Sequence, residues 1–170
     1  MAYTFSPLLV IDDFNDTSEK LDDNPKFDNS LRDAQENRLG SFLGKPLYLQ
    51  LINNITDGSL YQDLWEGAIY ENSLGEDVQF YGLKQYLIDI TKHIYFKPLV
   101  QNSGDTFAFQ KNENVEINIE EQRISAAQYL NTANNYREDA VNFLNKNIDI
   151  YTLWKGNCEG KWAGSIFRPK

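Results

Sequence analysis

A histidine with a carboxylate one helical turn before it is the arrangement that could activate a nucleophile, and His93 has Asp89 in that position. A serine hydrolase would also need its serine presented on a sharp strand-to-helix elbow, and no Gly-x-Ser-x-Gly occurs in the chain. An ion pair on a helix surface is therefore the expected role of Asp89 and His93. Paired carboxylates for acid–base or two-metal chemistry could come from Glu120-Glu121 or Glu138-Asp139. Neighbours on a helix point about 100° apart, so these pairs read as solvated faces rather than as pockets. A single cysteine, Cys158, forms no internal disulfide, and with the single histidine it supplies no His/Cys zinc cage. Neither a glycine-rich phosphate loop nor an Asp-x-Asn-x-Asn-Gly calcium loop is present. The residues thus predict no catalytic constellation, no cofactor and no metal.

The elements around these residues follow from composition and periodicity. At 170 residues the chain suits one domain, and its 14% aromatic content marks it as folded despite a mean hydropathy of -0.55. A net charge of -9 argues against a nucleic-acid binder held by phosphate neutralisation. No apolar run approaches the ~20 residues that span a bilayer, and no basic region precedes the short Leu8–Ile11 run, so neither a membrane span nor a secretory signal is expected.

Three segments emerge. Residues 1–28 form an acidic arm, seven acids against two lysines for a net -5, with Leu8–Ile11 as the stretch able to dock. Residues 29–147 form a helical domain. Its first helix is predicted to start at Asp28 or Asn29 as N-cap and to run through Leu31, Ala34, Gln35, Arg38, Leu39 and Phe42 to Gly44. Pro46 opens a second helix carrying Leu47, Leu51 and Ile55, and a short third segment covers Leu60–Trp65. β-Formers around a Gly-containing turn between Gly67 and Gly82 predict a hairpin.

Leu83, Leu87, Ile90 and Ile94 then mark a helix over Leu83–Phe96 that Pro98 is expected to end. Alternation at Phe107, Phe109, Val115, Ile117 and Ile119 suggests a second small hairpin. Asn118 would cap a last long helix over Ile119–Asn147, with Ala126, Leu130, Ala133, Arg137, Ala140 and Leu144 on its inner stripe. The expected fold class is mainly α: a bundle of four to five helices with one or two small β-hairpins and extended terminal arms. Lys84 and Asp89 are expected to face solvent or a neighbour.

Residues 148–170 form an aromatic, glycine-hinged tail whose charge from Lys155 onward is +3, four bases against Glu159. Tyr151, Trp154, Lys161, Trp162, Phe167 and Arg168 are of the types enriched at interface anchors and form the candidate interface with another subunit. Docking of the tail on its own domain is the competing reading. Opposite charges at the two ends suit a head-to-tail contact that closes into a ring.

The order of motifs resembles the small helical head-tail connector (adaptor or neck ring) proteins of tailed bacteriophages. Carrying the resemblance are Phe42-Leu43-Gly44-Lys45-Pro46-Leu47-Tyr48, Leu64-Trp65-Glu66-Gly67, Phe80-Tyr81-Gly82-Leu83-Lys84, and a final helix with Tyr136, Ala140 and Phe143-Leu144-Asn145. The last leads into Ile150-Tyr151-Thr152-Leu153-Trp154. The resemblance implies a non-enzymatic virion protein at the neck between capsid and tail, made in the host cytoplasm. It also implies a homo-oligomeric ring, a dodecamer by analogy, that binds the portal protein and neighbouring tail or neck rings and passes DNA without binding it specifically. A small acidic protein-binding or regulatory module, acting as monomer or dimer, is the alternative.

Overall fold

The computed structural model describes residues 6–14, 25–55, 58–72, 74–101 and 119–156. Within them the protein is mainly helical, five helices and one two-stranded antiparallel sheet around a single hydrophobic core. The second predicted hairpin and the Asn118 cap lie outside the described residues.

The first helix begins at Pro25, earlier than the Asp28 or Asn29 cap predicted from sequence. Proline costs nothing in a first helical turn, where its missing N–H would be unpaired anyway. This helix runs without a break from α1 (Pro25–Arg32) through a π-helical stretch (Asp33–Leu39) into α2 (Gly40–Leu43). The widened turn is visible where the Gly40 N–H reaches the Gln35 carbonyl, one residue further back than in an α-helix. It ends at Gly44, whose φ of 74° reverses the chain into α3 (Lys45–Asn54) with Pro46 in the first turn. α3 buries Leu47, Tyr48 and Leu51, and α4 (Leu60–Glu66) buries Leu64 and Trp65.

The predicted hairpin is present as β1 (Ala68–Glu71) and β2 (Asp77–Phe80), with Ala68 opposite Phe80 and Glu71 opposite Asp77. Asn72 organises its turn, its Oδ1 accepting from the N–H groups of Leu74 at 2.8 Å and Glu76 at 3.0 Å. At the base of the hairpin Gly67 and Gly82, both at positive φ, lie against each other's backbone.

α5 (Gly82–Gln101) and α6 (Ile119–Lys146) make the most extensive helix pair. Leu83, Leu87 and Ile90 of α5 and Ala133, Ala140, Phe143 and Leu144 of α6 are buried, while Leu130 packs half-buried at the edge. The alanines allow close approach, as expected from the inner stripe. Pro98 does not end α5, which continues to Gln101. A proline forfeits one hydrogen bond, here to the carbonyl of Ile94, and in a last turn that loss does not break the helix.

Part of the acidic arm belongs to the core. Leu9 and Phe14, the latter in a 3-10 turn over Ile11–Phe14, are 1% and 2% exposed, and Phe14 packs edge-on against Phe27. Buried Gln35 holds this segment like a strand partner, donating to the Ser6 carbonyl at 2.9 Å and accepting from the Leu8 N–H at 2.8 Å. Lys84, expected to face solvent or a neighbour, instead pairs with Asp13 at 2.7 Å and ties the segment to α5.

Candidate interaction surface

The chain leaves α6 through a run of tight turns. Asn147 accepts at its carbonyl from the N–H groups of both Ile150 and Tyr151, and Tyr151 from that of Trp154. Turns with a three-residue repeat put Tyr151 and Trp154 on the same side, facing inward. Both are 3% exposed. Trp154 sits edge-on to Phe42 and donates from Nε1 to the Asn145 Oδ1 at 2.8 Å. Tyr151 lies between Tyr61 and Phe143, and its hydroxyl donates to the Leu60 carbonyl at 2.9 Å. Burial, followed by the negative charge of Asp63, pushes that hydroxyl's pKa up to about 12.

Two of the six candidate interface residues are therefore committed to the protein's own core. A subunit contact through Tyr151 or Trp154 would require withdrawing a ring that already has its partners. Lys161, Trp162, Phe167 and Arg168 lie outside the described residues.

The same turns push Ile150 and Leu153 outward, at 53% and 37% exposure, and Ile148 at their start is 48% exposed. Leu60, whose carbonyl accepts from the Tyr151 hydroxyl, is itself 59% exposed. Exposed apolar groups grouped along one turn are a recurrent mark of protein contact surfaces. Residue type alone points to the larger aromatic rings of this segment and passes over the aliphatic residues between them. The three-residue interval between Tyr151 and Trp154 is the signal for Ile150 and Leu153, which are themselves three apart on another side; it carries no signal for Ile148.

The ionisable groups singled out for chemistry lie in the seam between α5 and α6. His93 does not pair with Asp89, because its Nδ1–H donates to the carbonyl of Ala126 on α6 at 2.9 Å. Asp89 is half-buried instead of facing solvent. Desolvation pushes its carboxyl up to about 6 against the opposing pull of Lys92. Lys92 is only 3% exposed, with its ammonium 5.3 Å from the Tyr129 ring centre. Tyr136 is raised first by its own burial and then by the charge of Asp89. Asp139 is raised by burial and secondarily by Glu138, so the adjacent acids Glu138 and Asp139 repel each other. Successive contacts of Asp89, Lys92 and His93 with Tyr136, Tyr129 and Ala126 run antiparallel along the two helices. Such polar contacts set helix register, since a shift of either helix would leave buried polar groups unpaired.

Among the described residues, no helix is long and apolar enough to cross a membrane. These features define a small mainly helical protein with an outward apolar turn and a polar helix seam. Residues 39–164 match the model of DUF6712, a family of unknown function, and the chain belongs to that family. No curated protein and no solved structure matches it.

Proposed function

We propose that this protein is a structural, non-enzymatic component of a tailed-phage neck, a head-tail connector that assembles as a ring between portal and tail and lets DNA through. The observation carrying this reading is the exposed apolar set Ile148, Ile150 and Leu153 at the end of the motif series that resembles those connectors. A surface of this kind suits repeated contact with a second copy. Phe167 and Arg168 of the tail would reinforce that contact, and the acidic arm offers charge to the basic tail of a neighbour. A ring with net negative charge would repel the DNA backbone from its channel wall, favouring passage over sticking.

The test is electron microscopy of particles from the virus carrying this gene, with and without an early stop codon in it. Tailless heads that gain tails when purified protein is added support the connector. Intact tailed particles, or a source that makes no particles, reject it. In parallel, Ile150→Asp should leave a folded monomer where the native chain forms rings by native mass spectrometry. The rival reading, a small acidic binding module, draws on the same apolar turn and predicts no high-order ring under any condition.

A further inference from the structure

The apolar turn has a hollow to match it at the other end of the first helix. The arm segment and α1 enclose a cleft of about 420 Å³ whose lining includes the buried Leu9, Phe27 and Leu31, and Val10, 59% exposed. Asp28 and Arg32, one helical turn apart on α1, supply its charges. Cleft and turn share no residue. Phe27 lies in the first turn of the continuous helix that begins with α1, and Phe42, edge-on to Trp154 at 5.7 Å, lies in its last turn. Fifteen positions separate the two rings, about 20 Å along the helix axis. The turn of one copy therefore meets the cleft of another and not its own.

The two surfaces are complementary in shape and in charge. Ile150 and Leu153 form an apolar ridge, and the cleft is hollow. Two ridges pressed together leave gaps along their sides, whereas a ridge in a cleft reaches the close packing found at interface centres. The ridge has Asp149 immediately before it and Lys155 shortly after, both exposed, and the cleft has the exposed pair Asp28 and Arg32. With Lys155 toward Asp28 the ridge brings Asp149 toward Arg32. Turned end for end, it would set like charges against each other, so charge selects one of the two orientations.

We propose that the ridge of Ile150 and Leu153 on one copy of this chain seats in the cleft between the arm segment and α1 of the next, with Lys155 facing Asp28 and Asp149 facing Arg32. This contact deepens the connector reading and rests on its treatment of the apolar turn as a surface between copies, to which it adds the receiving surface. It is head-to-tail, so each added copy presents a fresh ridge or cleft until the series closes on itself. The part of the acidic arm that Gln35 holds against the core then serves as one wall of the subunit contact.

Native mass spectrometry of the full chain and of two single variants, alone and mixed, tests the contact. Ile150→Asp spoils the ridge and keeps the cleft, while Val10→Arg puts a long charged side chain in the cleft and keeps the ridge. Both positions are more than half exposed, and unchanged circular dichroism melts separate a lost contact from unfolding. Each variant alone should be a monomer. Their equal mixture should form a heterodimer and stop there, because it contains one kind of intact ridge and one kind of intact cleft. Val10→Arg chains that assemble as the native chain does would overturn the proposal and leave the connector reading standing, since the ridge would then be meeting another surface. A mixture that stays monomeric, or a native chain that does, would overturn it too, and particles from the stop-codon strain decide the connector reading independently. Lys155→Glu should weaken assembly about fivefold, the upper size for an exposed ion pair. Adding Asp28→Lys to the same chain should restore it, and no recovery would overturn the assigned orientation.

Discussion

The hydroxyl of Tyr151 donates to the main-chain carbonyl of Leu60 at 2.9 Å, joining positions 91 residues apart in sequence. That bond, with the ring's packing on Tyr61 and Phe143, holds the turns after α6 against α4. Tyr151→Phe keeps the ring and removes the donor, leaving the Leu60 carbonyl short of a partner at a partly buried site. The expected loss is about 1–2 kcal/mol in urea unfolding with no change in the slope of the transition. A loss near zero would mean that water replaces the hydroxyl.

Asp89 makes stability depend on pH in a defined direction. Its carboxyl titrates near 6 in the folded protein, above its ordinary value of 3.8, so the folded state binds its proton more tightly than the unfolded state. Its contribution is fully present below about pH 4 and is lost as pH rises through about 6. Asp89→Asn mimics the protonated acid and should therefore stabilise the protein at pH 8 by about 1–2 kcal/mol, allowing for the residue's partial exposure. The gain should vanish at pH 4. Melting temperatures of both proteins across that range check the sign, and a gain that persists at pH 4 would point to packing instead of charge.

The hairpin closes where two glycines meet. A Cβ on Gly82 would fall on the carbonyl oxygen of Trp65, and one on Gly67 on that of Phe80, and both residues have φ values that side chains disfavour. Gly82→Ala should cost more than about 2 kcal/mol, measured by denaturant unfolding, because neither backbone can yield without moving α4 or α5. Gly75 in the hairpin turn is the control, since a Cβ there would meet nothing within 4 Å. Its alanine variant bears only the local φ penalty and should lose clearly less.

Leu87 has no exposed surface and sits where α5 faces the core. Leu87→Asp would bury a carboxylate without a partner, a cost of several kcal/mol and comparable to the stability of a whole domain. Loss of the cooperative thermal transition is expected. A soluble variant that still melts cooperatively would place that helix face elsewhere.

Side-chain repeat makes most of the helices readable. Leu83, Leu87 and Ile90 align with α5, and Ala133, Ala140 and Leu144 do the same for α6, because one buried stripe on a regular helix leaves a regular spacing. The π-helical turn leaves no such trace. Leu31, Ala34, Gln35 and Leu39 fit an α-helical stripe equally well, and the extra residue shows only in the bond from Gly40 to Gln35. Pro25 and Pro98 look like interruptions in sequence, yet one opens a helix and the other lies in a last turn, where a missing N–H is tolerated.

At the candidate surface the difficulty is one of direction. Tyr151 and Trp154 have the composition of an interface, but the turns after α6 rotate them inward and Ile150 and Leu153 outward. Asp89 is legible as a helix residue and not as a half-buried one, since its neighbours on α6 lie far along the chain.

The π-helical turn also bears on how the gene tolerates change in length. It holds one residue more than an α-helix needs there, so an in-frame deletion of one codon between Asp33 and Leu39 leaves enough chain to close as ordinary α-helix. Closing the wide turn leaves the two sides of the helix in nearly their present rotation, because the wider winding is what absorbs the additional residue. A deletion at the exposed Asn37 should thus spare the helix and also the segment that Gln35 grips at Ser6 and Leu8, together with the Leu9 and Phe14 side chains it places in the core.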